Sequence, residues 1–460
     1  MQRSPTSSLH ADHASDFLEN LETSLKQLQP FRIFGTVIDI QGLVVTASAD
    51  LPHIVIGCGV TIQKQSNILR GEVVALHQNQ AVILLASPVH GLSVGDTVEY
   101  SLLPLQLAPS MSWCGRILDA FGEPCDGQSP LIPGPRLLNL RNSPIPAQKR
   151  FKIHTPIDLG VRALNSFTTA CKGQRLGIFA GSGVGKSVLL SMLARFTECE
   201  VAVIGLIGER GRELKEFIED TLGPQGLKKS IIVVATSDEP PLARRQAAYT
   251  ALTIAEGLRD QGKDVLCILD SLTRFAMAQR EIGLSAGEPP TTKGYPPSVF
   301  SELAMLCERA GPGYEFPEAN IIPGGSITGL FSVLVDGDDH NEPISDAVRG
   351  ILDGHIVLDR DIAQRGHYPA INVLKSLSRL SSTAQTDEQK SLIQQARQIL
   401  STYNDMADLI RLGAYQTGSN ADVDRTIKLY PAFSNFLMQK PHEFTSIHKT
   451  FDDLQQILSS

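Results

Sequence analysis

The sequence lacks any spacing that would make a disulfide framework or a structural zinc site. Its seven cysteines, Cys58, Cys114, Cys125, Cys171, Cys199, Cys267 and Cys307, are odd in number and scattered, with no CxxC pair and no His-bearing metal spacing. They read as reduced packing residues. Clustered positive charge is missing too. Lys and Arg total 41 against 49 Asp and Glu, a formal net charge of −8, whereas a nucleic-acid partner requires grouped cations to neutralise phosphates. Aromatic residues are only 6% of the chain, with one tryptophan, Trp113, so a basic, aromatic-rich face for stacking RNA bases is not evident. No apolar run approaches the roughly 20 residues needed to cross a bilayer. The opening stretch to Asp16 has no apolar h-region, and the chain is expected to be cytoplasmic. What remains is an ordinary globular composition, 42% hydrophobic and 20% charged over 460 residues, enough for two or three domains.

Along the chain the pattern changes several times. From Asp16 to Gln29, Phe17, Leu18, Leu21, Leu25 and Leu28 recur at helical spacing, opened by an Asp16/Glu19 capping box and closed by Pro30. This predicts a short amphipathic helix, whose stripe packs either on its own protein or on a partner. Residues 31 to about 103 carry short β-branched runs (Phe34 to Ile38, Leu43 to Ala47, Gly71 to Leu76, Ala81 to Leu85) between Gly, Asn and Asp turns, which predicts a small all-β barrel or sandwich. A Pro-punctuated stretch from Leu103 to Pro146 suits an inter-domain crossing. From about residue 150, candidate strands Arg175 to Phe179, Val201 to Ile207, Ile231 to Ala235, Val265 to Leu269 and Ile327 to Val335 alternate with helical patterns, the signature of an α/β parallel sheet covered on both faces. The last 80 residues or so read as helices, for example Glu388 to Tyr403.

Chemistry concentrates at the ends of these strands. Ala180-Gly181-Ser182-Gly183-Val184-Gly185-Lys186-Ser187 follows a strand and opens an apolar helix beginning Val188, Leu189, Leu190, the context a phosphate-binding P-loop requires. Backbone N–H groups of such a loop face phosphates, Lys186 reaches the β and γ oxygens of ATP, and the Ser187 hydroxyl ligates Mg2+. The strict pattern begins with Gly and here begins with Ala180, which fits if its φ is negative. Asp264 to Asp270 is an apolar strand ending in a carboxylate, and Asp270 is the candidate magnesium-side acid. Gly208-Glu209-Arg210-Gly211-Arg212-Glu213 follows another strand. There Glu209 can orient water and Arg210 can meet developing charge, although the same run also reads as the solvated start of a helix.

These motifs resemble the catalytic subunits of rotary ATP synthases and, more closely, the ATPases of type III secretion and flagellar export. The resemblance spans nearly the whole chain. Besides the P-loop and the Glu209 segment, it is carried by Asp270-Ser271-Leu272-Thr273-Arg274-Phe275-Ala276 and by Gly366-His367-Tyr368-Pro369 through to Ser378-Arg379. It implies a RecA-like nucleotide-binding core with an N-terminal β-barrel and a C-terminal helical domain. The divisions expected are a partner-binding helix at 1–30, the barrel at 31–103, the P-loop ATPase domain at 104–380 and the helical domain at 381–460. It also implies that Arg379 is an arginine finger acting on the neighbouring subunit's nucleotide, that Tyr368 packs on adenine, and that Tyr415 covers adenine's other face.

Glu209 and Arg379 occur together in this one chain, so one gene product can build a complete site at each interface. The resemblance implies a closed homohexameric ring, a stator-like regulator on the N-terminal helix and a central coiled-coil stalk protein in the ring. It further implies an export gate at the membrane, chaperones and substrate proteins as partners, with the ring docked peripherally. The run Val335 to Pro343 and Val348-Arg349-Gly350-Ile351-Leu352 looks like the flagellar branch more than the injectisome branch. The alternatives are an injectisome ATPase, a catalytic subunit of a mixed synthase ring, and a non-enzymatic, nucleotide-gated export scaffold. A ring RNA helicase is disfavoured by the charge balance.

Overall fold

The computed structural model describes residues 32–49, 53–64, 67–316, 321–335, 337, 339 and 342–460. The expected helix at 1–30, and part of the run from Val335 to Pro343, lie outside the described residues. The chain divides into two compact units, one ending at Leu105 and the other starting at Gln106.

The first unit is a closed barrel of six antiparallel strands: β1 (Ile33–Gln41), β2 (Val44–Ser48), β3 (Gly59–Lys64), β4 (Asn67–His77), β5 (Gln80–Leu85) and β6 (Thr97–Ser101), in the order β1-β2-β5-β4-β3-β6. Period-two alternation makes this possible, because Ile33, Gly35 and Val37 of β1 point inward while Phe34, Thr36 and Ile38 point out. Closure removes the open strand edges a sandwich would leave. The interior is filled by Val45, Ile62, Val73, Ile83, Val98 and Tyr100, all nearly inaccessible. The Tyr100 hydroxyl donates to the Ser48 carbonyl at 2.9 Å, and burial pushes its pKa up to about 12. Strands β3 and β6 were not among the expected runs.

The second unit is built on a nine-stranded sheet. Its strands are β7 (Ile117–Leu118), β8 (Arg175–Ala180), β9 (Val201–Glu209), β10 (Ser230–Thr236), β11 (Asp264–Asp270), β12 (Ser326–Leu334), β13 (Gly354–Leu358) and β14 (Leu377–Ser378), in the order β14-β13-β8-β12-β11-β9-β10-β7, with Gly311–Pro312 pairing off the side of β12. From β13 to β7 every pair is parallel, and β14 is antiparallel to β13. The five expected strands are β8 to β12. Their unbroken apolar runs follow from burial on both faces: eight of the nine residues of β9 are buried. The stretch read as a crossing does more than connect, since Ile117–Leu118 joins the sheet beside β10.

One face of the sheet is covered by the helices Pro241–Asp260, Leu272–Ser285 and Pro297–Glu308, whose Ala247, Leu252, Phe275, Val299 and Leu303 are buried in one core cluster. The other face packs against the helix Lys186–Phe196 and the C-terminal helices Asp387–Arg411, Ala421–Leu437 and Ile447–Ser459. Leu189 and Leu193 share that cluster with Ile399, Phe433 and Leu454, so the C-terminal helices and the P-loop helix are stabilised by the same buried apolar surface. Phe433 is fully buried, and truncating such a side chain to Ala costs about 3–5 kcal/mol.

Candidate active site

Three strand ends converge at the carboxyl edge of the sheet. The P-loop leaves β8, Glu209 ends β9 and Asp270 ends β11. The register pairs Leu206 with Asp270, so β9 carries Glu209 past the level of Asp270, and the two acids meet at the Lys186 ammonium beside the loop. The order places β12 between the P-loop strand and β11, and this edge is where ligands of open α/β sheets bind.

Ala180 completes β8 and is fully buried, and it is absent from the residues with positive φ. The Ala at the first P-loop position therefore sits in ordinary extended backbone. The turn is made by Gly183 (φ 77°) and Gly185 (φ 90°), and the helix starts at Lys186. Gly181 and Val184 are buried, while Ser182, Gly183, Ser187 and Val188 line the accessible side. A Cβ built on Gly185 would stand 3.4 Å from the Tyr368 ring, which puts this half-exposed aromatic directly beside the loop.

The Lys186 ammonium is the centre of the polar cluster. Its Nζ lies 3.2 Å from Glu209 Oε1 and 2.5 Å from Asp270 Oδ1. Burial works against the ammonium, but the two carboxylates outweigh it and hold Lys186 above its ordinary pKa. Burial pushes Glu209 above the ordinary carboxylate range, with Lys186 and Arg274 opposing and Asp270 adding to the rise. Asp270 is fixed from a third side, because the fully buried Ser332 of β12 donates its hydroxyl to Asp270 Oδ1 at 2.5 Å.

Gly208 shapes the approach to Glu209. Its φ is +69°, and a Cβ there would meet Arg274 Cβ at 2.9 Å, so only glycine allows β9 to turn while the helix Leu272–Ser285 stays close. That helix is capped by Ser271, whose side chain accepts from the Arg274 N–H. The buried Nε of Arg274 has no hydrogen-bond partner among the described residues. A cation beside Glu209 with unsatisfied donor capacity suits an anionic ligand.

Three residues named from the sequence stand apart from this cluster. Arg210 caps the short helix Gly211–Glu216 with a largely exposed side chain, 3.4 Å from Glu213. Tyr415 lies in the turn between the helices Asp387–Arg411 and Ala421–Leu437, its hydroxyl bonded to the Asn420 carbonyl and to Asp424. Arg379 is exposed just after β14, and its backbone N–H bonds to the Asp353 carbonyl at the amino end of β13. The P-loop level of β13 is Leu358, so at about 3.3 Å per residue over the five residues to Asp353, Arg379 begins about 16 Å further down the sheet. The sequence reading did not single out Ser332. It lies inside an apolar strand, and only the tertiary register brings its hydroxyl to Asp270.

Fold and site together define a P-loop nucleoside triphosphatase: a parallel sheet, a glycine-turned loop on a helix N-terminus, a partly buried Lys and two strand-end acids. Comparison with known proteins sharpens this. The nucleotide-binding domain of the ATP synthase alpha/beta family matches residues 160–378, its beta-barrel domain matches 37–101, and the C-terminal domain of the type III secretion ATPase EscN matches 385–456. The flagellum-specific ATP synthase of Caulobacter vibrioides is 52% identical over 96% of this chain and 100% of its own. The assembled ATPase EscN of enteropathogenic E. coli superposes with a TM-score of 0.84 at 38% identity, over 92% of this chain and 100% of its own. EscN in complex with its central stalk EscO gives 0.82 over the same shares. The chain belongs to the ATP synthase alpha/beta family and, within it, to the flagellum-specific ATP synthases. It is an ATP-hydrolysing P-loop enzyme. No helix among the described residues is long and apolar enough to cross a membrane.

Proposed function

We propose that this chain is the ATPase that energises flagellar protein export, working at the cytoplasmic face of the export apparatus as a ring of identical subunits. The observation that carries the reading is the Lys186, Glu209 and Asp270 cluster at one edge of the sheet, combined with an exposed Arg379 too far down the same sheet to serve its own chain's loop.

In this reading the ATP phosphates lie against the loop residues Ala180 to Ser187 and the helix N-terminus, with Val188 in the first turn and Tyr368 on the adenine side. Lys186 exchanges its contacts with Glu209 and Asp270 for phosphate oxygens. Glu209, freed from the ammonium, accepts a hydrogen bond from the attacking water and orients it toward the γ-phosphorus. Arg379 of the neighbouring subunit meets the charge that develops on the transferred group, with Arg210 on the exposed side of the site. Tyr415 belongs to the C-terminal helical turn and is a second, outer aromatic.

The donors fit Mg2+: the Ser187 hydroxyl and the Asp270 carboxylate are hard oxygens, and Mg2+ is commonly held by one or two carboxylates together with substrate phosphates. When bound there it would offset phosphate charge. Ser332 keeps the Asp270 carboxylate in one orientation for that role.

Partners follow from the relatives. EscN assembles and binds a central stalk, which supports a homohexamer around a coiled-coil stalk protein here. The stator-like regulator is assigned to residues 1–30, and the export gate, chaperones and cargo proteins to the assembled ring. An injectisome ATPase is the second reading, favoured by the structural likeness to EscN.

The deciding experiment is ATP hydrolysis per chain against the concentration of this protein alone, with Glu209→Gln as the blank. A specific rate that climbs with concentration and vanishes in the variant supports shared sites in a self-assembled ring. A flat rate at the level of the blank would instead point to a mixed ring or a non-hydrolysing scaffold.

A further inference from the structure

The loop 438–446, between the helices Ala421–Leu437 and Ile447–Ser459, is tied to the C-terminal end of the P-loop helix and to Tyr368, whose ring lies beside the helix N-terminus. Its centre is Gln439, which is only 4% exposed. Each polar atom of its side chain is bonded: Nε2 donates to the carbonyls of Gly160 at 2.8 Å and Glu443 at 2.7 Å, and Oε1 accepts from the Arg162 backbone N–H at 2.8 Å. The Gln439 backbone N–H donates to the Tyr368 carbonyl at 3.0 Å. Arg162 answers from the other side, with Nε donating to the Phe436 carbonyl at 2.8 Å and Nη1 to Thr445 and Glu443.

The same loop holds the far end of the P-loop helix. Arg195 Nη2 donates to the Pro441 carbonyl at 2.6 Å, and Phe196 packs edge-to-face on Phe444 at 5.9 Å. Gly160 is pressed so closely here that a Cβ would stand 2.4 Å from Phe196 Cβ. At the opposite end of that helix, the Tyr368 ring lies over Gly185. An irregular segment has no ladder to satisfy its backbone groups, so the Gln439 amide supplies the bonds that give this loop one conformation.

We propose that Gln439 is a positioning residue for nucleotide affinity. By locking the loop 438–446 it holds Tyr368 at a fixed height over the P-loop, so it governs binding of the nucleoside and leaves the reacting phosphates untouched. The proposal rests on the reading of Tyr368 as the adenine-side residue.

The test uses the full chain and two readouts: the Kd of a fluorescent, non-hydrolysable ATP analogue, and KM with kcat for ATP. For Gln439→Ala, Kd and KM rise about ten-fold while kcat stays within about two-fold, the pattern of lost uniform binding. Adding Gln439→Ala to Tyr368→Ala gives no further rise, because the one acts through the other. Gln439→Met, which keeps the volume without the amide, gives the same shifts and carries the test if the alanine variant melts at a markedly lower temperature. If Tyr368→Ala weakens binding but Gln439→Ala and Gln439→Met do not, or if they lower kcat at unchanged KM or add their full factor to Tyr368→Ala, the proposal is wrong. If Tyr368→Ala itself leaves Kd unchanged, the adenine reading fails, and this one falls with it.

Discussion

Replacing Glu209 with Gln separates binding from hydrolysis. The carboxylate stands 3.2 Å from Lys186 Nζ while Asp270 stands 2.5 Å away on the other side. At an effective dielectric of about 20, a unit pair at that first distance is worth about 5 kcal/mol of direct attraction. Glu209→Gln removes this term, but Lys186 keeps its proton because Asp270 remains. The variant therefore binds ATP at least as well as the parent, and up to about ten-fold tighter, since phosphates no longer displace a second carboxylate. Turnover falls by about 10² to 10⁴, the usual contribution of a group that positions or deprotonates the nucleophile, or about 3–5 kcal/mol of barrier. The pH dependence gives an independent check. Burial holds the Glu209 pKa above the ordinary range and its ionised form is the active one, so kcat/KM falls toward acid pH with a midpoint above that of a free carboxylate, and the variant loses this limb. Phosphate release and fluorescent-nucleotide binding on the same preparation measure both quantities. A variant within ten-fold of parental turnover, or one that loses ATP binding, would refute the assignment.

Arg379→Ala is expected to lower turnover by about 10³ to 10⁵ with its own ATP binding intact. Mixing it with Lys186→Ala chains restores part of the activity, and no recovery in an assembled mixture would argue against action across the interface. Arg309 and Glu256 form a bidentate pair, both 2% exposed, at 3.0 and 2.7 Å. Arg309→Ala should destabilise the fold by about 3–5 kcal/mol in urea unfolding, and a loss under about 1 kcal/mol would contradict this. Asp126, bonded by Arg116, has its pKa lowered from 3.8 to about 2, so the stability it contributes is present above the ordinary value and is lost as pH falls through about 2. Relative to the parent, Asp126→Asn loses about 1–3 kcal/mol at pH 7, and the difference shrinks toward pH 2; a gap independent of pH would be inconsistent. Gly208→Ala forces a positive φ on a residue with a Cβ, a strain of about 1–2 kcal/mol, and shifts Glu209, so kcat falls more than thermal stability does; unchanged kcat would show that the turn tolerates a side chain.

Much of the site could be read directly because its parts are contiguous. Loop, Lys186, Ser187 and the first helical turn form one run of residues, and a local run carries its own spacing. The strands β8 to β12 were equally visible, since burial on both faces leaves unbroken apolar runs. Strand β13 was not singled out, although it lies directly beside the P-loop strand; five residues, Gly354–Leu358, are too few to declare a period. Resemblance supplied Tyr368 and Arg379, which the residues alone did not distinguish from a packing aromatic and a surface cation.

By itself, then, the sequence determined the chemistry available, an ammonium, two acids and a glycine-turned loop at strand ends, because each is encoded within a few consecutive residues. Only the tertiary structure decided that Lys186 meets Glu209 and Asp270 together, that Ser332 fixes Asp270, and that Gln439 joins Gly160, Arg162 and Tyr368. Those contacts span 62 residues for Ser332 and Asp270 and 277 for Arg162 and Gln439. Strand order and helix docking create such distant meetings, and no local pattern can record them.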